Sequence, residues 1–293
     1  MKIILFSRSR VRHVAEHVSQ IFSSAERYGF DIAVNEEFAP IAERLAGVSI
    51  SEAMRYGERV GEQSGDAVMI CYGGDGTLLE GASRLDGEPI PVVGVNSGRM
   101  GFLTGAPKEG IEAIFEQIAR GELKVEPRTM VAVEGGLCDE PERVRYALNE
   151  IALQRQGAQM LSVEAYVDEQ MVATYHGDGV IISTPTGSTA YSLSAGGPVV
   201  APQCRCLVIS PIAPHNLTMR PVVVPDTSRI RLRVVSASDC AFCSIDNRTE
   251  QLSEQAEMVI SCALRQVFLA VPHNISFYDT LRNKMMWGVD VRG

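Results

Sequence analysis

Ala67-Val68-Met69-Ile70-Cys71-Tyr72-Gly73-Gly74-Asp75-Gly76-Thr77 is the stretch from which the fold can be read. Six apolar residues closed by glycines read as a buried strand. The residues after them, Leu78-Leu79-Glu80-Gly81-Ala82-Ser83-Arg84-Leu85, have helical spacing. A strand-to-helix turn made of glycines takes positive φ and lets another molecule approach bare backbone. The helix start offers free N–H groups and the positive end of its dipole, which suit a phosphate. Asp75 is the odd residue, because a carboxylate repels phosphate unless it serves a metal or takes a proton. Strand, glycine turn, single acid and helix start together point to phosphoryl transfer. The alternative is a structural turn in which Asp75 caps the helix.

On both sides of this stretch short apolar runs alternate with helical ones. Residues 2–6 read as a strand and 11–28 as an amphipathic helix with Val14, Val18, Ile21 and Phe22 inward. Residues 30–34 form a second strand, and 40–46 and 51–63 are helix-prone. A further strand at 90–95 precedes a helix at 108–120, with Ile111, Ile114, Phe115 and Ile118 on one face. Such alternation implies a parallel sheet covered on both faces, with ligands beyond the carboxyl ends of its strands. The strand at 90–95 runs into a second glycine turn, Asn96-Ser97-Gly98-Arg99-Met100-Gly101-Phe102-Leu103.

From about residue 124 the pattern changes to short strands at 130–134, 145–155, 162–167, 229–235, 240–245, 258–262 and 267–271, as in a β-sandwich. Helical spacing returns at 276–287. The predicted organisation is an α/β parallel-sheet domain at 1–123 and an all-β domain at 124–273. A C-terminal segment at 274–293 is expected to pack back on the first domain.

Length and composition narrow the class. The 293 residues are 45% hydrophobic and 22% charged, as in a soluble globular protein. A net charge of -9 argues against nucleic-acid or anionic-membrane partners. No apolar stretch approaches a membrane span, and the start reads as a strand rather than a signal peptide, so a cytoplasmic location is expected. Seven cysteines without a secretion signal are read as free thiols. Cys204/Cys206 and Cys240/Cys243 have spacings that zinc accepts, but they lie in strand-like runs, and no metal-ligating set is assigned.

Two further features belong to the β part. After His176-Gly177-Asp178-Gly179 and an apolar strand comes Ser183-Thr184-Pro185-Thr186-Gly187-Ser188-Thr189-Ala190-Tyr191-Ser192-Leu193-Ser194. This run is too polar to be read as core; its hydroxyls suit a polar ligand, and Tyr191 a base. Asn149-Glu150 interrupts what reads as one strand, so one of the two faces a core or a ligand, where they are able to read a base edge and ribose hydroxyls.

These residues resemble the NAD kinases, in the family's order and over nearly the whole chain. The Gly-Gly-Asp-Gly turn is shared with lipid kinases and phosphofructokinases, whereas the Ser-Thr-Pro-Thr-Gly-Ser-Thr-Ala-Tyr run is specific. The resemblance implies a Rossmann-like first domain, a β-sandwich second domain, and transfer of phosphate from ATP, or polyphosphate, to the 2′-hydroxyl of the adenosine ribose of NAD. It implies Asp75 as general base, Gly76 at the phosphates, Phe102 beside the adenine, and Asn149 and Glu150 on base and ribose. Thr186, Thr189, Ala190, Tyr191, Ser192, Leu193 and Ser194 would hold the adenosine, and His176 and Asp178 the nicotinamide end. Asn247 is carried over as a binding residue, although Ser244-Ile245-Asp246-Asn247-Arg248 departs from the family's Asp-Gly-Gln pattern. Met100 and His176 replace the usual Leu and Arg. A divalent cation, usually Mg²⁺, would accompany ATP, and a homodimer or homotetramer is implied.

Two rivals remain at this level. A lipid or sugar kinase would use the same turn, but a lipid acceptor wants an apolar pocket and a basic face. A non-catalytic dinucleotide sensor would have no need of Asp75.

Overall fold

The computed structural model describes residues 1–61, 65–98, 101–104, 110–235, 241–271 and 276–287. The chain divides into two compact units, one made of Met1–Pro127 with Val267–Gly293 and one of Arg128–Gln266.

The first unit follows the alternation: β1 (Lys2–Phe6), α1 (Ala15–Arg27), β2 (Asp31–Asn35), α2 (Ala39–Ala46), β3 (Arg55–Tyr56), β4 (Ala67–Gly73), α3 (Asp75–Ser83), β5 (Val92–Asn96) and α4 (Ile111–Arg120). The strands are parallel in the order β3-β2-β1-β4-β5, and Leu269 and Ala270 pair in parallel with Val92 and Val93 on the far side of β5. With that late strand as sixth member, this is the doubly wound 3-2-1-4-5-6 order, which reverses between β1 and β4. Loops leaving those two strands diverge there. The core joins Ile3, Leu5, Ile70 and Tyr72 of the sheet to Val18 and Ile21 of α1 and to Ile114, Phe115 and Ile118 of α4.

The helix expected at 51–63 is not formed. Glu52–Met54 makes a single 3-10 turn and the chain then extends into β3, with residues 62–64 outside the described ones. Arg55 donates to the Ile50 carbonyl and to Glu43, and the Tyr56 hydroxyl donates to the Leu5 carbonyl at 3.1 Å, so side-chain anchors outweigh helix propensity. The first helix begins at Ala15, four residues later than its spacing predicts.

The second unit is antiparallel: β6 (Lys124–Glu134), β7 (Arg145–Ala147), β8 (Glu150–Arg155), β9 (Leu161–Val167), β10 (Gln170–Gly177), β11 (Gly179–Ser183), α5 (Tyr191–Ser194), β12 (Cys206–Ile212), β13 (Val222–Pro225), β14 (Ile230–Val234), β15 (Ala241–Ile245), β16 (Arg248–Gln251) and the start of β17 (Glu257–Val271). The last helix is α6 (Phe277–Met285), opened by a capping box of Ser276 and Asp279. One sheet runs β10-β9-β14-β17, with β6 joined to β17 and β7; the other runs β13-β12-β11-β8-β15-β16. Alternate residues of both sheets meet in one core, Leu153, Val180, Ile182 and Cys243 from the second against Val163, Leu232 and Ile260 from the first. The strand expected at 145–155 is two strands in different sheets, broken at Leu148-Asn149.

Among the described residues no helix is long and apolar enough to cross a membrane. Cys204 is exposed and Cys206 partly so, Cys243 is buried, and Cys240 lies outside the described residues.

Leu153 is fully enclosed in the sandwich core. Leu153→Ala is expected to lower the unfolding free energy by about 2–5 kcal/mol in a urea titration.

Candidate active site

β4 ends at Gly73, and Gly74, with extended backbone, is the N-cap of α3 without a side-chain cap. Asp75 therefore does not cap its helix. Its carboxylate turns instead to the chain that follows β5. Oδ2 accepts from the Phe102 N–H at 2.7 Å, and Oδ1 accepts from the Leu103 N–H at 3.2 Å, the Thr104 N–H at 3.0 Å and the Thr104 hydroxyl at 2.9 Å. The two glycine turns are thus joined through one side chain. Gly101 is required by this arrangement, because a Cβ there would overlap Asp75 Oδ1. Asn96 closes the end of β5, accepting from the Gly98 N–H at 2.6 Å and donating to Thr104 Oγ1 at 3.3 Å. Phe102 is partly exposed beside it, and Arg99 and Met100 lie outside the described residues.

In the second unit the break between β7 and β8 is built by Asp246, whose carboxylate accepts from the N–H groups of Leu148, Asn149 and Glu150 at 2.9, 2.8 and 3.2 Å. The hydroxyl-rich run folds onto this break. Thr184 Oγ1 donates to the Leu148 carbonyl at 2.6 Å and accepts from the Gly187 N–H at 3.0 Å. A Cβ on Gly187 would overlap the Asn149 carbonyl, so only glycine permits that approach. Ser188 bonds to the Pro185 carbonyl, Ser192 to Ser210 at 2.9 Å, and the Tyr191 hydroxyl donates to Gln154 at 3.0 Å.

Much of the run is therefore buried, against its expected exposure: Ser183, Thr184, Ser188 and Ser192 are all 0% exposed. Hydroxyls bonded to backbone and to one another bury without penalty. Ser192 faces inward, whereas Thr186, Thr189, Ala190, Tyr191 and Leu193 keep some exposed surface and Ser194 is exposed. At this break three buried polar atoms have no partner among the described residues: Asn149 Oδ1, Glu150 Oε2 and Ser183 Oγ. Glu150 and Ser183 are paired across β8 and β11, so two of these unmet atoms belong to facing residues. A polar ligand would satisfy them.

The remaining predicted residues lie nearby in the same unit or on its surface. Asp178 accepts from Arg155 Nε at 2.5 Å, and the exposed His176 shares a hydrogen bond with Ser162. Asn247 is exposed in the β15–β16 turn, and its neighbour Asp246, which the sequence reading passed over, holds the break. Thr184 and Gln154 were likewise missed. Among the described residues no group of three His, Cys, Asp or Glu is placed to hold a metal.

Glu150 is buried close to Asp246, and burial first, then the neighbouring charge, pushes its carboxyl from 4.5 up to about 8. A carboxyl raised in the folded state stabilises the fold below its unfolded value and loses that contribution as pH rises. Between pH about 4.5 and 8 the wild type should therefore lose stability relative to Glu150→Gln, by on the order of 1 kcal/mol per pH unit. Thermal unfolding of both proteins across that range measures the gap, and parallel curves would refute the protonated state.

Sequence and structure comparisons agree. The description "ATP-NAD kinase N-terminal domain" matches residues 3–123 and "ATP-NAD kinase C-terminal domain" matches residues 148–271. An NAD kinase of Bacteroides fragilis is 37% identical with all of both chains covered, and that of Christiangramia forsetii is 34% identical, also over both full lengths. Yeast NADH kinase in complex with NADH superposes with a TM-score of 0.86 at 23% identity, covering 100% of this chain and 89% of that one. An NAD kinase from Archaeoglobus fulgidus in complex with ATP gives 0.75 at 25% identity, covering 98% and 99%. The parallel sheet and the sandwich are thus those of a known group of phosphotransferases, and the chain belongs to the NAD kinase family.

Proposed function

We propose that the protein transfers the terminal phosphoryl group of ATP to the 2′-hydroxyl of the adenosine ribose of NAD, giving NADP, with Asp75 as general base. The observation that carries this reading is the uneven use of the Asp75 carboxylate. Among the described residues Oδ1 receives three donors and Oδ2 one, the Phe102 N–H. A carboxylate oxygen has two lone pairs, so Oδ2 keeps one for an incoming hydroxyl while Oδ1 is saturated. The four bonds hold the base still, and Oδ2 takes the proton as the hydroxyl attacks phosphorus. Positioning of this kind is most of what phosphoryl transfer asks of a protein.

The acceptor's adenosine is assigned to the second unit. Asn149 Oδ1 offers an unmet acceptor to the base, and Glu150 Oε2, without a partner among the described residues, is a hydrogen-bonding atom for a ribose hydroxyl. Thr186, Thr189, Ala190, Tyr191 and Ser194 are read as adenosine-binding, Phe102 as an adenine contact, and His176 and Asp178 as serving the nicotinamide end. In domain terms, residues 1–123 supply the transfer machinery, 124–273 the nucleoside site and 274–293 a closing segment. The A. fulgidus relative in complex with ATP supports ATP as donor. Mg²⁺ is read as part of the donor substrate, held chiefly by the phosphates of ATP. A cytoplasmic homo-oligomer is the assembly inferred.

NADP formation from NAD and Mg·ATP, read through an NADP-specific dehydrogenase, tests the reaction. Asp75→Asn is expected to lower kcat by on the order of 10²-fold or more while NAD still binds. Undiminished turnover in that variant would remove Asp75 as base, and no NADP from the wild type would remove the reaction.

A further inference from the structure

The order reversal between β1 and β4 places two chain segments on either side of one crevice: Gly73 to Gly76 after β4, and Ser7-Arg8 after β1. Ser7 is fixed at this end of the sheet. Its hydroxyl donates to the Tyr72 carbonyl at 2.6 Å, its N–H donates to Asn35 Oδ1 at 3.1 Å, and His13 Nε2 lies 2.9 Å from its oxygen. Tyr72 immediately precedes the glycine turn, so the residue after Ser7 is held against that turn.

That residue is Arg8. Its Nε donates to Glu80 Oε2 at 2.6 Å, one turn into α3. Its Nη1 lies where a Cβ on Gly76 would come within 3.2 Å of it, so the guanidinium lies over the bare backbone of Gly76. Only the Nε edge is engaged among the described residues, and the side chain is 31% exposed. Glu80 does not need Arg8 for charge balance, because Arg84 Nη2 already pairs with its other oxygen at 3.1 Å. A half-exposed ion pair of this kind contributes little to stability. What the pair does is aim the guanidinium.

We infer that Arg8 binds the terminal phosphates of the donor at the Gly-Gly-Asp-Gly turn, presenting Nη1 and Nη2 beside the first amides of α3. The inference rests on the reading of ATP as donor. Asp75 and Glu80 both put negative charge at this turn, in a chain of net charge -9, and a triphosphate approaching it needs a local cation. Arg supplies two parallel donors in the geometry of a phosphate, which Lys does not. Its fixed Nε leaves those donors preorganised, and helix N–H groups complete the cradle. Arg8 thereby acts on the donor and has no part in recognising NAD.

Steady-state kinetics with Mg·ATP and NAD varied independently test the assignment. Arg8→Ala is expected to raise KM for Mg·ATP roughly 10–100-fold, as for loss of a charged hydrogen bond, with KM for NAD within about twofold. Arg8→Lys should recover only part of the loss, and added guanidinium should partly rescue Arg8→Ala. Inorganic tripolyphosphate should compete with ATP in the wild type and bind more weakly to Arg8→Ala in calorimetry. A role confined to packing would lower Tm or move both KM values together, and either pattern without the selective effect overturns the assignment. Active wild type with an Arg8→Ala variant of unchanged ATP dependence removes Arg8 alone. Failure of the wild type to make NADP removes the donor reading and Arg8 with it.

Discussion

Four hydrogen bonds to one carboxylate organise the glycine-turn end of the first unit. Asp75 begins a helix, yet its side chain serves the chain after the neighbouring strand, so the turns after β4 and β5 cannot move independently. The demands on sequence follow from this. Gly101 has to be glycine because the carboxylate occupies the place of its Cβ, and Thr104 has to offer both an N–H and a hydroxyl. The uneven split of donors leaves Oδ2 the less engaged oxygen among the described residues. One interaction thus sets loop geometry, residue choice and the orientation of the proposed base.

The second unit solves a different problem, that of keeping acceptors unmet without unfolding. Asp246 satisfies the amides at the break between β7 and β8, and Thr184 with Gly187 secures the run that covers it. With backbone needs met in this way, Asn149 Oδ1 and Glu150 Oε2 have no partner among the described residues. Leaving such atoms bare costs on the order of 1–3 kcal/mol each. The surrounding core of Leu153, Val180 and Ile182 offsets that cost.

Periodicity made the architecture legible: glycine-closed apolar runs located β4 and β5, and 3.6-residue spacing located α4 with its four buried residues. Asp75, the Asn149-Glu150 pair and the 183–194 run stood out because each is chemically wrong for a plain strand or turn. What escaped was contact between distant residues. Asp246 looks like any hairpin acid until the structure brings it to Leu148, and nothing local says that a strand is split between two sheets there. Polar composition makes the hydroxyl run read as exposed, yet Thr184, Ser188 and Ser192 are buried because their hydroxyls bond to backbone or to another hydroxyl. Helix propensity over 51–63 gave way to anchors at Ile50 and Leu5, the second of which no local window contains. Arg8 carried no sequence signal at all, since its meaning comes from where β1 ends relative to β4.

The sixth strand of the doubly wound sheet has a consequence for how the chain is made. Its pairing residues, Leu269 and Ala270, are synthesised only after the entire second unit. Until they emerge, β5 presents an open row of N–H and C=O groups along Val92 and Val93, a ready template for pairing with other chains. At translation rates of about 5–20 residues per second, that edge stays uncovered for on the order of ten seconds or more. A chain cut short before Leu269 would keep both the Gly-Gly-Asp-Gly turn and a sticky edge.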